Sequence, residues 1–147
     1  MVQVVLPNDA NPLGFILGGT VMHLIDIAGA IAASRHTRSP VVTAAVDGLQ
    51  FLHPIKVGDL IVLKAHVTCA FTTSLEVQVV VFSEETLSGK RLLTSSAFLT
   101  FVTVAKDGQH VKVPELIVET AEQRRVCEQA HARRAQRLAS RSLGQSS

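Results

Sequence analysis

One carboxylate set in an apolar run is the residue of this chain that most invites chemistry. Asp26 lies within Thr20–Ala33, where almost every neighbour is Val, Met, Leu, Ile, Ala or Gly. An ionised carboxylate buried without a partner costs on the order of several kcal/mol or more. A chain that keeps one there has a use for it. The segment leading to it, Pro7–Asp26, reads PNDANPLGFILGGTVMHLID: a polar turn, paired glycines, then an apolar helix. If Gly18 and Gly19 open that helix, their N–H groups are free and carry the positive end of the helix dipole. Glycine lets a ligand atom approach the backbone, so this corner can hold an oxyanion. Asp26 follows Gly19 by seven residues, which is roughly 10 Å along the axis and nearly the same face. That is too far to act on an atom held at the same helix start. A second copy, antiparallel across a two-fold axis, would set its own Asp26 opposite the first Gly19 and create two such sites at once.

Two more side chains belong to this segment. The Asn11 amide can orient a water or donate to a carbonyl oxygen, or it can serve an Asx turn before Pro12. Asp9 can be a second carboxylate at the same mouth or a cap for the turn, and the cap is the simpler reading.

The elements that must position these groups follow from pattern. Val2–Leu6 reads as a short strand and Asn8–Gly14 as turn chemistry. Gly19–His36 is the long helix, with Arg35 and His36 suited to its negative pole and Pro40 beyond its stop. Four strands follow. Val41–Leu52 is β-rich. Leu60–Phe71 alternates, with Ile61, Leu63, Ala65, Val67 and Cys69 on one face and Lys64, His66 and Thr68 on the other. Leu75–Phe82 alternates with Glu76 and Gln78 outward, and Arg91–Val104 is the last strand. Strand, helix and antiparallel meander give an α+β fold, a sheet wrapped around one long central helix. Pro114–Ser140 reads as a C-terminal helix and Ser142–Ser147 as a disordered tail. The division expected is 1–113 for the catalytic domain and 114–147 for the helix and tail.

With 147 residues, the chain has room for one domain and a real core. Its hydrophobic fraction is 47% with no Trp or Tyr, and the surplus apolar surface argues for burial between subunits. Phe15–Ala33 is long enough to span a membrane, but His23, Asp26 and several glycines in its middle argue against that. The start MVQVVLPND carries no basic segment or cleavage site. Cys69 and Cys127 form no CxxC, and reduced thiols in a cytoplasmic protein are the simple reading. No histidine pair has metal-ligand spacing, so no metal is expected. A net charge of +2 and an Arg-rich tail without aromatics argue against nucleic acid. There is no GxSxG elbow, Walker loop or GxGxxG. Hydrolysis by such a chain would therefore run on Asp and water.

The pattern P-x-D-x-N-x-x-G-x-x-x-G-G followed by M-x-x-x-D, here Pro7, Asp9, Asn11, Gly14, Gly18, Gly19, Met22 and Asp26, resembles the hotdog-fold acyl-CoA thioesterases. The branch it looks most like holds the YciA-type and cytosolic (brain-type) acyl-CoA hydrolases. Val41–Asp59, Thr73–Val77 and Phe98–Val104 extend the likeness over about residues 2 to 114. Many relatives carry His just before the paired glycines, where this chain has Leu17. The resemblance implies hydrolysis of acyl-CoA to free CoA and a carboxylic acid, with Asp26, Asn11, Gly19 and Gly18 catalytic. It implies no separate cofactor, since CoA is part of the substrate, and a homodimer assembled into a hexamer as a trimer of dimers. Arg35, His36, Thr73, Ser74, Lys90 and Arg91 are the candidates for contacts to the CoA. Two other functions fit the same frame, a hotdog acyl-thioester dehydratase or a non-catalytic acyl-CoA-binding module. The dehydratase usually needs a histidine base, and Leu17 counts against it.

Overall fold

The computed structural model describes residues 1–145. Five strands, β1 (Val2–Val4), β2 (Val41–Phe51), β3 (Leu60–Ala70), β4 (Ser74–Glu84) and β5 (Arg91–Thr103), form one antiparallel sheet in the order β1-β3-β4-β5-β2. Helix α1 (Gly18–Thr37) packs on one face and helix α2 (Ala121–Gln145) on the other. The sheet wrapped around one long helix that the sequence predicts is therefore present. No helix among the described residues is long and apolar enough to cross a membrane.

The core lies between α1 and the sheet. Val21, Leu24, Ile25, Ala28 and Ala33 of α1 meet Val77, Val79, Leu99 and Phe101. The helix comes closest at Gly29, where an added Cβ would stand 3.0 Å from the buried Phe101 ring and 3.5 Å from Val79. The close helix–sheet approach thus falls on Gly29 and not on the paired glycines. At Gly18 an added Cβ would meet only Phe51, at 3.8 Å, and at Gly19 nothing within 4 Å. Helix α1 stops at Arg38, which adopts the left-handed conformation (φ 54°) and donates its N–H to Ser34 O.

The outer face is covered by α2. Alternation points Glu76 outward, as expected, but the residue is 1% exposed because α2 lies over it. Arg133 grips both Glu76 oxygens, at 3.0 and 2.7 Å, and Thr68 Oγ1 donates to Oε1 at 2.7 Å. The same guanidinium lies 3.7 Å from the Phe98 ring centroid. Arg137 pairs with Asp47 of β2 at 2.8 Å.

Three expectations from sequence change here. Helix α2 begins at Ala121, not Pro114. A capping box sets that start: Thr120 Oγ1 accepts from Gln123 N while Gln123 Oε1 accepts from Thr120 N. The helix continues to Gln145, so Ser142–Gln145 are helical and only residues 146 and 147 of the expected tail lie outside the described residues. Cys69 and Cys127 are bonded to each other, not free. Strict alternation puts Cys69 on the α1 side, but a bulge at Thr68 leaves Cys69 opposite Glu76 and turns it toward α2. One extra residue reverses the parity of everything after it.

These contacts fix where side-chain volume is tolerated. Gly29→Ala forces the buried Phe101 ring to move and is expected to cost about 1–3 kcal/mol, as overpacking does. Gly19→Ala is expected to cost nothing measurable. The urea midpoint of unfolding checks both, and equal midpoints would contradict this packing.

Candidate active site

Asp26 sits on the flank of α1 that the sheet does not cover. It is half-buried in one chain rather than enclosed, which corrects the expectation of a fully buried carboxylate. Its partner is Thr43 of β2, whose Oγ1 donates to Asp26 Oδ1 at 2.6 Å. Thr43 pairs in register with Phe101, an inward-facing residue, so its hydroxyl lies on the helix side of the sheet. A bulge follows between Thr43 and Ala45, and a second lies between Asp47 and Gln50. Gly48, at φ +59°, supplies the left-handed residue of the second bulge. Together they bend the edge strand. Nothing in the sequence flagged Thr43, because a β-branched residue inside VVTAA reads as ordinary strand filler.

The second half of the site lies at the start of α1. Leu17 is the N-cap residue and makes no side-chain cap, and Val21 is the first residue to donate back, to Leu17 O at 3.1 Å. The N–H groups of Gly18, Gly19 and Thr20 have no protein acceptor among the described residues. The preceding loop is tied to this corner by Leu17 N donating to Asp9 O at 2.8 Å. Asp9 Oδ2 accepts from Leu6 N at 3.2 Å, the cap role that the sequence favours. Asn11 Oδ1 accepts from Leu13 N and Phe15 N at 3.0 and 3.1 Å, forming the Asx turn. That fixes the Asn11 side chain and leaves its NH2 group without a protein partner among the described residues.

An apolar cleft of about 270 Å3 opens beside the corner, lined by Ile16, Gly18, Val21, Phe51, His53 and Ile55 among others. Phe51 is 53% exposed and Ile31 45%. Along the uncovered flank, Ile27 and Ile31 of α1 stand near Val42 and Val46 of β2, all of them exposed. This is an apolar surface around a carboxylate, on a strand that forms the open edge of the sheet.

The six candidate binding residues do not gather in one place. Thr73 O accepts from Thr103 N, and Val104 N donates to Pro40 O, so Thr73 and Ser74 lie at the α1 C-terminal end with Arg35 and His36. Lys90 and Arg91 lie at the opposite end, on the hairpin beside the α1 N-terminus. Some are already engaged. His36 Nε2 contacts Pro114 O at 2.8 Å and Arg91 pairs with Glu84 at 2.6 Å. Arg35 makes no ion pair among the described residues and lines a second cleft with Met1, Ile31 and Leu63.

The chain belongs to the thioesterase superfamily, whose model matches residues 13–90. Within it, the similarity is to acyl-CoA thioester hydrolases. The chain is 40% identical over 119 residues to the acyl-CoA thioester hydrolase YkhA of Bacillus subtilis, covering 81% of this chain and 69% of that protein. It is 33% identical over 143 residues to the human cytosolic acyl coenzyme A thioester hydrolase, covering 96% of this chain and only 38% of that protein. Among solved structures it resembles an apo-hexameric acyl-CoA thioesterase, with a TM-score of 0.90 at 40% identity over 97% of this chain and 92% of that one. It also resembles the acyl-CoA hydrolase of Staphylococcus aureus in complex with butyryl coenzyme A, coenzyme A and coenzyme A disulfide, with a TM-score of 0.89 at 34% identity over 99% and 89%. That hydrolase has also been solved with alanine in place of one aspartate, one asparagine and one threonine.

The Thr43 hydroxyl is positioned to fix the Asp26 carboxylate. A hydrogen bond to a charged group contributes about 1.5–3 kcal/mol, so Thr43→Val is expected to lower kcat roughly 10- to 100-fold with little change in KM. Thr43→Ser should restore most of it. Steady-state kinetics of the two variants checks this, and equal losses in both would contradict the role.

Proposed function

We propose that this chain hydrolyses acyl-CoA thioesters to free CoA and a carboxylic acid, at sites shared between two copies. The observation that carries the reading is the Asp26–Thr43 pair on an uncovered apolar flank, two helical turns from an uncapped pair of glycines. The family supplies the substrate class. In the Staphylococcus aureus hydrolase the replaced asparagine, aspartate and threonine are spaced fifteen and seventeen residues apart. The same spacings separate Asn11, Asp26 and Thr43, which supports giving these three residues a common task.

In this reading the thioester oxygen rests against the Gly19 N–H, with Gly18 beside it. The donors stabilise the negative charge that develops on the oxygen, and losing one such donor typically costs about 10²–10³ in rate. The Asn11 NH2 group places the water or the carbonyl. Asp26 of the facing copy removes the water's proton, or attacks the carbonyl to form a mixed anhydride that water then opens. In either route the C–S bond breaks, the sulfur leaves as the CoA thiol and the acyl carbon gains one oxygen. The acyl chain lies in the apolar cleft by Phe51.

An antiparallel pair of α1 helices also brings the C-terminal end of one beside the N-terminal end of the other. Arg35, His36, Thr73 and Ser74 of one copy would then share a neighbourhood with Lys90 and Arg91 of its partner, and this set would receive the CoA phosphates. Relatives that crystallise as hexamers support a trimer of such dimers here.

Asp26→Ala is expected to lower CoA thiol release by about 10³-fold or more while light scattering reports the same assembly as the parent. A graded series of acyl-CoA esters, followed by thiol release, checks the reaction. Turnover unchanged in Asp26→Ala would overturn it.

A further inference from the structure

The bond between Cys69 and Cys127 is far from the chemistry proposed above and independent of it. The two residues are 58 apart in sequence and 4.7 Å apart at Cα. Cys69, on β3, is fully buried, while Cys127, on α2, is only half-buried. One turn further along α2 stands the exposed His131, with a ring nitrogen within 4.8 Å of both sulfurs. The His131 ring is held edge-on to Phe71, centroids 4.9 Å apart. A disulfide walled in on both sides is inert, and one open at a single sulfur with a proton donor beside it is not.

We propose that Cys69–Cys127 is a reversible thiol–disulfide exchange site for a dithiol reductant, with His131 as its proton donor, and that its state sets how firmly α2 is fastened to the sheet. The exposure difference dictates the order of events. A thiolate of the reductant attacks the Cys127 sulfur, which is the reachable one, and the S–S bond breaks. Cys127 is left in a mixed disulfide and Cys69 departs as a thiolate. A thiolate in an apolar interior is costly, and the His131 imidazolium is placed to protonate it. The second thiolate of the reductant then attacks its own sulfur in the mixed disulfide and releases Cys127. The reductant leaves as a disulfide, and two electrons and two protons have passed to the protein. No further reactant is required.

Reduction would loosen α2 without releasing it. The Arg133–Glu76 grip and the Arg137–Asp47 pair remain. Asp47 lies four residues beyond Thr43 on β2, so the fastening of α2 reaches the strand that holds Asp26.

The test uses the full chain under native conditions. Protein prepared without reductant and treated with iodoacetamide should show no adduct by intact mass. After dithiothreitol it should show two, and oxidised dithiothreitol should restore none. Reduction should lower Tm by on the order of 10 °C while the far-UV circular dichroism is retained. The double variant Cys69→Ser, Cys127→Ser should show the lower Tm with or without reductant. His131→Ala should slow native reduction at least about tenfold with the oxidised Tm kept. Three results would overturn the exchange site: thiols that stay free under oxidised dithiothreitol, a bond that opens only in denaturant, or equal Tm in both states. An unchanged reduction rate in His131→Ala would overturn the proton-donor assignment.

Discussion

Asp26 and the Gly18–Gly19 corner ride on one rigid helix about two turns apart, and that fixed separation governs the rest of the structure. A carboxylate roughly 10 Å along the axis from an oxyanion corner cannot serve a carbon bound at that corner of the same helix. The chain leaves exposed what a self-sufficient enzyme would cover. The N-terminal N–H groups have no cap, the flank around Asp26 is apolar, and β2 is an open edge. Each of these is unfavourable in an isolated chain and reasonable if a second copy supplies the missing half.

The remaining architecture holds α1 and β2 at the correct distance. Gly29 lets the helix settle onto Phe101, and the bulges of β2 bring the Thr43 hydroxyl to the Asp26 carboxylate. On the far face, α2 closes over a carboxylate that would be costly to bury alone. The two-toothed contact from Arg133, with Thr68 as a further donor, satisfies Glu76. Asp47 then links α2 to the same strand that carries Thr43. The two faces of the sheet thus meet mechanically in β2.

Much of this was legible in the sequence. Turn residues and period-two alternation place the strands within a residue or two of their observed limits. The apolar run with its single Asp26 and the glycines before it locate α1 to within one residue at each end. What was not legible depended on events that alternation does not encode. The bulge at Thr68 reversed the parity of Cys69 and brought it within bonding distance of Cys127. Glu76 points outward as its position says, yet alternation cannot show that α2 will cover it. The Thr120–Gln123 capping box lies in plain view and marks the true start of α2. Thr43 is the instructive miss, since its role exists only because β2 and α1 are neighbours in space. The spread of Arg35, His36, Thr73 and Ser74 to one end and Lys90 and Arg91 to the other likewise follows from topology, not from any motif.

The most direct measurement is complementation between two inactive variants. One carries Asp26→Ala with its glycine corner intact, and the other carries Gly19→Leu, which blocks the corner and keeps Asp26. If each site takes Asp26 from one copy and the corner from its partner, co-refolding equal amounts creates mixed dimers with one complete site. Thiol release should then return to about one quarter of the parent value per chain, by random pairing of two-fold dimers. If both groups act within one chain, no mixture contains a complete site, and activity that stays at the level of the separate variants would contradict the shared site.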